Sequence, residues 1–198
     1  MKISQRAAAV PASATMAVTG RAKEMQASGI DVVSFGAGEP DFNTPDFIKQ
    51  AAIDAIKAGK TGYTDTRRIL QLRKAISDKL SRDNNLDYSS GQIIVNIGAK
   101  HSIYESLQAI VDPGDEVILP TPYWVTYPEA VKLAGGIPNI VKTSEKNSYK
   151  ITPEQLKTAI NDKTAVFILN SPNNPGGFSY TPEELKALAQ VLEGTDVM

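Results

Sequence analysis

The stretch Ile93-Ile94-Val95-Asn96-Ile97-Gly98-Ala99-Lys100, running on into His101-Ser102-Ile103-Tyr104-Glu105-Ser106-Leu107, constrains this chain more than any other. Residues 93–97 are β-branched and almost wholly apolar, the composition of a strand buried on both faces. Gly98 ends that run, and Ile103, Leu107 and Ile110 then recur at helical spacing, so a helix is expected from about residue 99. A strand that feeds a helix through small residues leaves backbone N–H groups unpaired at the positive end of the helix dipole. Such a turn is a seat for a phosphate, and Lys100 adds a mobile cation beside it. Taken alone, the same residues also describe an ordinary βα connection. What favours the phosphate seat is the set of loops further along the chain.

Composition narrows the classes. A chain of 198 residues with 41% hydrophobic and 22% charged side chains can bury a core and reads as a soluble globular protein, ordinarily of one domain. A formal net charge of −1 makes no electrostatic case for nucleic acid or an anionic membrane. With no cysteine there are no disulfides, thiolate nucleophiles or cysteine-ligated metals, and the single His101 excludes a multi-histidine metal site. No window approaches the roughly 18 apolar residues of a membrane span. Residues 1–23 are basic and lack acids, a faint likeness to a transit peptide, but they have no apolar signal-peptide core. The expected location is cytoplasmic.

In chain order, a polar, alanine-rich arm leads into a helical pattern over about 15–27, stopped by Ser28-Gly29. A short strand is expected over 31–35, then an irregular Gly36-Ala37-Gly38-Glu39-Pro40-Asp41-Phe42, whose local chemistry is that of a turn. Thr44-Pro45 opens a helix with Ile48, Ala52, Ile53 and Ile56 on one face and Gly59 at its end. Leu72, Ile76 and Leu80 mark the next helix. Asp112-Pro113-Gly114-Asp115 is a tight turn before a strand over 116–119, and Pro120-Thr121-Pro122-Tyr123-Trp124 follows at its carboxyl end. A helix over about 127–133 and a strand over 137–141 come next. Thr152-Pro153-Glu154-Gln155 is a capping box, residues 165–169 form a strand, and Thr181-Pro182-Glu183-Glu184 caps a last helix with Leu185, Leu188 and Leu192 inward. Alternating strands and helices give an α/β class with a mostly parallel sheet, sandwiched by helices. Ligands of such sheets gather at the carboxyl ends of the strands, where the loops 98–100, 120–124 and 171–177 fall.

The loops Gly-Ala-Gly-Glu-Pro-Asp-Phe (36–42), Asn-Ile-Gly-Ala-Lys (96–100), Asp-Pro-Gly-Asp-Glu-Val (112–117), Pro-Tyr-Trp-Val-Thr-Tyr-Pro (122–128) and Asn-Ser-Pro-Asn-Asn-Pro-Gly-Gly (170–177) occur in the order found in aspartate aminotransferases. From Ser13 to the last helix the chain resembles the bacterial subgroup of fold-type I pyridoxal-phosphate enzymes that includes aspartate/prephenate aminotransferases. The resemblance implies the N-terminal part of that fold: residues 1–43 as an arm and part of the small domain, and 44–198 as the first part of the large cofactor domain.

It also implies roles at the matching positions. Ala99 and Lys100 would cradle the phosphate of pyridoxal 5'-phosphate, Trp124 would lie over its ring, and Asn174 would hydrogen-bond the ring oxygen. Tyr63 would reach the cofactor phosphate of the neighbouring subunit in a homodimer. Gly38, Ser13 and Thr15, with Lys100, Trp124 and Asn174, would face the substrate, a small amino acid and its 2-oxo acid partner. Without the resemblance, a lone tryptophan also reads as core or interface, Asn before Pro as the start of a turn, and Tyr63 as a surface side chain. His101 is expected to be noncatalytic.

The cofactor lysine, the pyridinium-pairing aspartate, a cofactor-phosphate tyrosine and the carboxylate-binding arginine of the resembled family match nothing in these residues. The expectation is therefore an enzyme's N-terminal half with an incomplete sheet, inactive by itself. The alternative is a noncatalytic fragment that keeps a phosphate-binding or dimerisation surface. An unrelated nucleotide binder finds no Gly-x-Gly-x-x-Gly after a strand and no Gly-Lys-Ser/Thr. Three positions depart from the resembled pattern: Gly176 stands for a usual threonine, Arg68 for a glycine, and Gly62 for a lysine.

Overall fold

The computed structural model describes residues 2–36 and 38–198, and of Ala14 the backbone only. Ala37, the middle of the Gly36-Ala37-Gly38 turn, and Met1 lie outside the described residues. The chain forms two compact units, one comprising the arm to Ser13 with Gly98–Met198, the other Ala14–Ile97.

In the first unit, a three-stranded parallel sheet is built from β1 (Glu116–Pro120), β2 (Ile137–Val141) and β3 (Thr164–Phe167), in the order β2-β1-β3. The central strand is fully covered, with Val117, Ile118 and Leu119 all at 0% exposure. Alternation along β1 divides the core. Val117 and Leu119 pack with Leu107, Tyr127 and Val131, whereas Ile118 packs with Ile151, Leu156 and Leu188. The helices that supply these partners are α1 (Ala99–Ile110) and α2 (Thr126–Ala134) on one face, α3 (Pro153–Ala159) and α4 (Pro182–Leu192) on the other. This is the α/β layering read from the sequence.

Local chemistry sets several boundaries as expected. Thr152 and Thr181 each accept the N–H of the residue three further on, and Gln155 and Glu184 return the bond to the cap backbone. The turn before β1 closes through Asp115 N–H to the Asp112 carbonyl at 3.1 Å. Leu188 and Leu192 face the core, but Leu185 is 38% exposed and lies off that face. The polar, alanine-rich arm includes one helical turn at Gln5–Ala8 capped by Ser4. At the other end Met198 donates to the Ala165 carbonyl and accepts from Phe167 N–H, hydrogen bonds of a strand pairing alongside β3.

The second unit differs more from expectation. Its helices are there: Ala14–Ala27, Asp46–Lys57 and Leu70–Asn84. Thr44 does not cap the second of these. Pro45 occupies the N-cap, and no side chain bonds the first turn. The expected strands over 31–35 and 93–97 are absent, because neither segment enters a hydrogen-bonded ladder. Extended apolar residues become a strand only where a neighbour accepts their backbone bonds. Ile93 is buried at 8% exposure, but Ile94 and Ile97 are 63% and 81% exposed, so the run is not covered on both faces. Ile48, Ile53 and Ile56 likewise form an apolar face that stays exposed among the described residues.

Candidate functional site

Gly98 shapes the turn that the sequence nominates as a phosphate seat. Its φ of +117° lies where side chains are strongly disfavoured, and it turns the chain sharply into α1. No side chain caps this helix. The first backbone bond of α1 is Ser102 N–H to the Gly98 carbonyl at 3.2 Å, so the N–H groups of Ala99, Lys100 and His101 have no acceptor among the described residues. Ala99 and Lys100 are exposed, and Lys100 forms no ion pair among the described residues. Backbone donors, the positive end of a twelve-residue helix and an ammonium with no ion-pair partner among the described residues fit a phosphate group.

The start of α1 and the indole lie side by side. Lys100 Nζ lies 5.5 Å from the centroid of the Trp124 ring. Trp124 is half-buried, its ring and that of Tyr127 in a T-shaped contact at a centroid distance of 5.6 Å. The Trp124 carbonyl accepts Tyr127 N–H at 3.0 Å in the first turn of α2. Burial pushes the Tyr127 hydroxyl above its ordinary pKa, so it stays protonated.

Asn174 sits on the loop after β3. Its backbone N–H donates to Asn170 Oδ1 at 2.8 Å, while its side-chain amide is exposed and has no partner among the described residues. This loop is tied to the tryptophan loop by Asn173, whose Nδ2 donates to the Pro122 carbonyl at 3.1 Å. Peptide bonds before Pro122, Pro172 and Pro175 are cis. A cavity of about 10 Å³, enough for one water, lies between the two loops, lined by Tyr123, Asn173 and Phe178 among others. A larger groove of about 270 Å³ lies elsewhere, along Asn147–Glu154 and Glu184–Leu188, and its Lys150 and Glu184 charges neutralise each other at 2.8 Å.

Of the positions the resemblance nominated, Ala99, Lys100, Trp124 and Asn174 thus fall in one unit, the first two on the opening turn of α1 and the others on the loops after β1 and β3. Ser13 ends the arm of that same unit and is exposed. Gly38, Thr15 and Tyr63 belong to the second unit and are exposed there. His101 Nε2 pairs with Glu105 at 3.0 Å, one turn along the helix. Sequence reasoning missed Asn170, Asn173 and Phe178. The only local signal was the doubled asparagine before Pro175.

Comparison with known proteins shows the family. Residues 30–198 match the family model described as aminotransferase class I and II. The chain is 54% identical over 191 residues to an aspartate aminotransferase of Geobacillus stearothermophilus, covering 96% of this chain and 49% of that protein. It is 50% identical over 190 residues to an aspartate/prephenate aminotransferase of Cereibacter sphaeroides, covering 96% of this chain and 48% of that one. An aspartate aminotransferase of Thermus thermophilus, solved with maleate, superposes with a TM-score of 0.93 at 43% identity over 97% of this chain and 50% of its own. The chain belongs to the class I and II aminotransferase family. It spans about half the length of the curated relatives it matches.

Proposed function

We propose that these residues form the phosphate seat and ring clamp of a pyridoxal-phosphate-dependent aminotransferase acting on a dicarboxylic amino acid, with aspartate and 2-oxoglutarate giving oxaloacetate and glutamate. The observation that carries this reading is the uncapped start of α1, with Lys100 held 5.5 Å from the Trp124 ring. When bound, the pyridine ring supplies a sink for the electrons of the deprotonated amino acid. The chain's own residues bind and orient. The amides of Ala99 and Lys100 take the phosphate, and the Lys100 ammonium offsets its charge. Trp124 covers one ring face and excludes water there, while the Asn174 amide donates to the ring oxygen.

Gly38, Ser13 and Thr15 face the substrate, and Tyr63 serves the neighbouring subunit's phosphate in a homodimer. On this reading residues 1–43 are an arm with part of a small domain, and 44–198 the first part of the cofactor domain. No lysine here holds the cofactor covalently, so these residues do not transaminate by themselves.

The test uses 4'-deoxypyridoxine 5'-phosphate, which lacks the aldehyde and cannot form lysine adducts. The chain has one tryptophan, so emission reports Trp124 alone. Saturable quenching, weakened by Lys100→Ala and competed by inorganic phosphate, is the expected result. A folded chain with no saturable quenching would refute the seat. In parallel, the chain mixed with pyridoxal 5'-phosphate, aspartate and 2-oxoglutarate should turn over no faster than free cofactor.

A further inference from the structure

We propose that Asn173 is a positioning residue that sets the spacing of the ring clamp, and that Gly176 and Phe178 hold it in place. The proposal rests on the cofactor reading above and adds to it a residue that does not touch the cofactor.

Asn173 is bonded at every polar group. Its backbone N–H donates to the Phe178 carbonyl at 2.8 Å, and its carbonyl accepts Gly177 N–H at 2.8 Å. Its Oδ1 accepts Gly176 N–H at 2.8 Å, and its Nδ2 donates to the Pro122 carbonyl at 3.1 Å, across 51 residues of sequence. The first three bonds fold the loop that carries Asn174. The fourth fastens that loop to the one that carries Trp124, two residues beyond Pro122. No other hydrogen bond among the described residues joins these two loops. An amide is the group for this task, because a single planar side chain must accept on one side and donate on the other.

Gly176 and Phe178 keep that amide oriented. A Cβ at Gly176 would stand 2.5 and 2.7 Å from ring carbons of Phe178 and 2.9 Å from Asn173 Oδ1. The Phe178 ring therefore occupies the space that a larger residue 176 would need. It is backed in turn by Tyr180 at a centroid distance of 6.2 Å, edge-on. Threonine, usual at this position in the resembled subgroup, is incompatible with this placement of Phe178 unless the ring moves.

The experiment compares the chain with Asn173→Ala and Asn173→Asp by Trp124 emission, acrylamide quenching and titration with 4'-deoxypyridoxine 5'-phosphate, with far-ultraviolet dichroism to verify folding. Aspartate keeps the acceptor for Gly176 N–H and removes the donor to Pro122. Both variants should make Trp124 more accessible to acrylamide and weaken analogue binding about tenfold, the effect of one lost hydrogen bond. Asn173→Asp variants that match the parent in emission, quenching and affinity would overturn the positioning role while leaving the cofactor seat intact. A parent chain without saturable analogue quenching would overturn the seat and the positioning role together.

Discussion

The hydroxyl oxygen of Tyr180 accepts the backbone N–H of Ile151 at 3.0 Å, tying the segment before α3 to the segment before α4. Lys150 Nζ lies 5.7 Å from the same ring and pairs with Glu184 at 2.8 Å, so one small cluster clasps both helix entrances. Burial raises the Tyr180 pKa, helped by the Glu184 charge and opposed by the Ile151 hydrogen bond.

Tyr180→Phe should destabilise the fold by about 1–3 kcal/mol, because it keeps the ring but strands a donor at a residue that is 3% exposed. Urea unfolding followed by Trp124 emission checks this. An unchanged midpoint would mean that water satisfies Ile151 N–H.

Glu184 gives the clasp an acid limit. Its hydrogen bond from Lys150, then that from Thr181 N–H, hold its carboxyl below the ordinary value. A lowered folded-state pKa contributes stability that is complete above the unfolded value of about 4.3 and is lost as pH falls through the folded value. Thermal melts of the parent from pH 6 to pH 3 should therefore fall more steeply than those of Glu184→Gln. Parallel curves would show that the pair contributes nothing across that range.

Arg68 adopts φ +78°, a left-handed conformation that side chains other than glycine resist. This explains why glycine is usual there in the resembled subgroup. Arg68→Gly should stabilise the chain by about 0.5–1 kcal/mol, the relief of strain exceeding glycine's larger unfolded-state entropy. Denaturant titration reads the sign directly. A loss of stability would mean that the Arg68 side chain, which reaches the Thr66 carbonyl, matters more than the backbone.

Gly176→Thr should cost about 1–3 kcal/mol through overpacking against Phe178. Phe178→Ala in the same chain should recover most of that loss, since the ring is the obstacle. A double variant no more stable than the single one would place the conflict at the Asn173 oxygen instead.

Capping boxes at Thr152 and Thr181, the Asp112–Asp115 turn, the helix from Ala99 and the strands β1 and β2 were all legible in the sequence. Each depends on residues within one turn or on a side-chain period that the chain itself carries. The segments 31–35 and 93–97 were not legible, since an apolar run has the same spelling whether or not a neighbouring strand accepts its hydrogen bonds. The loops of the site could be named from their motifs, and so could the residues at their tips. That Lys100 lies beside the Trp124 ring, and that Asn173 reaches Pro122, only tertiary structure decided. Those contacts close over long stretches of chain, where the geometry follows from how the helices pack on the sheet rather than from any local preference.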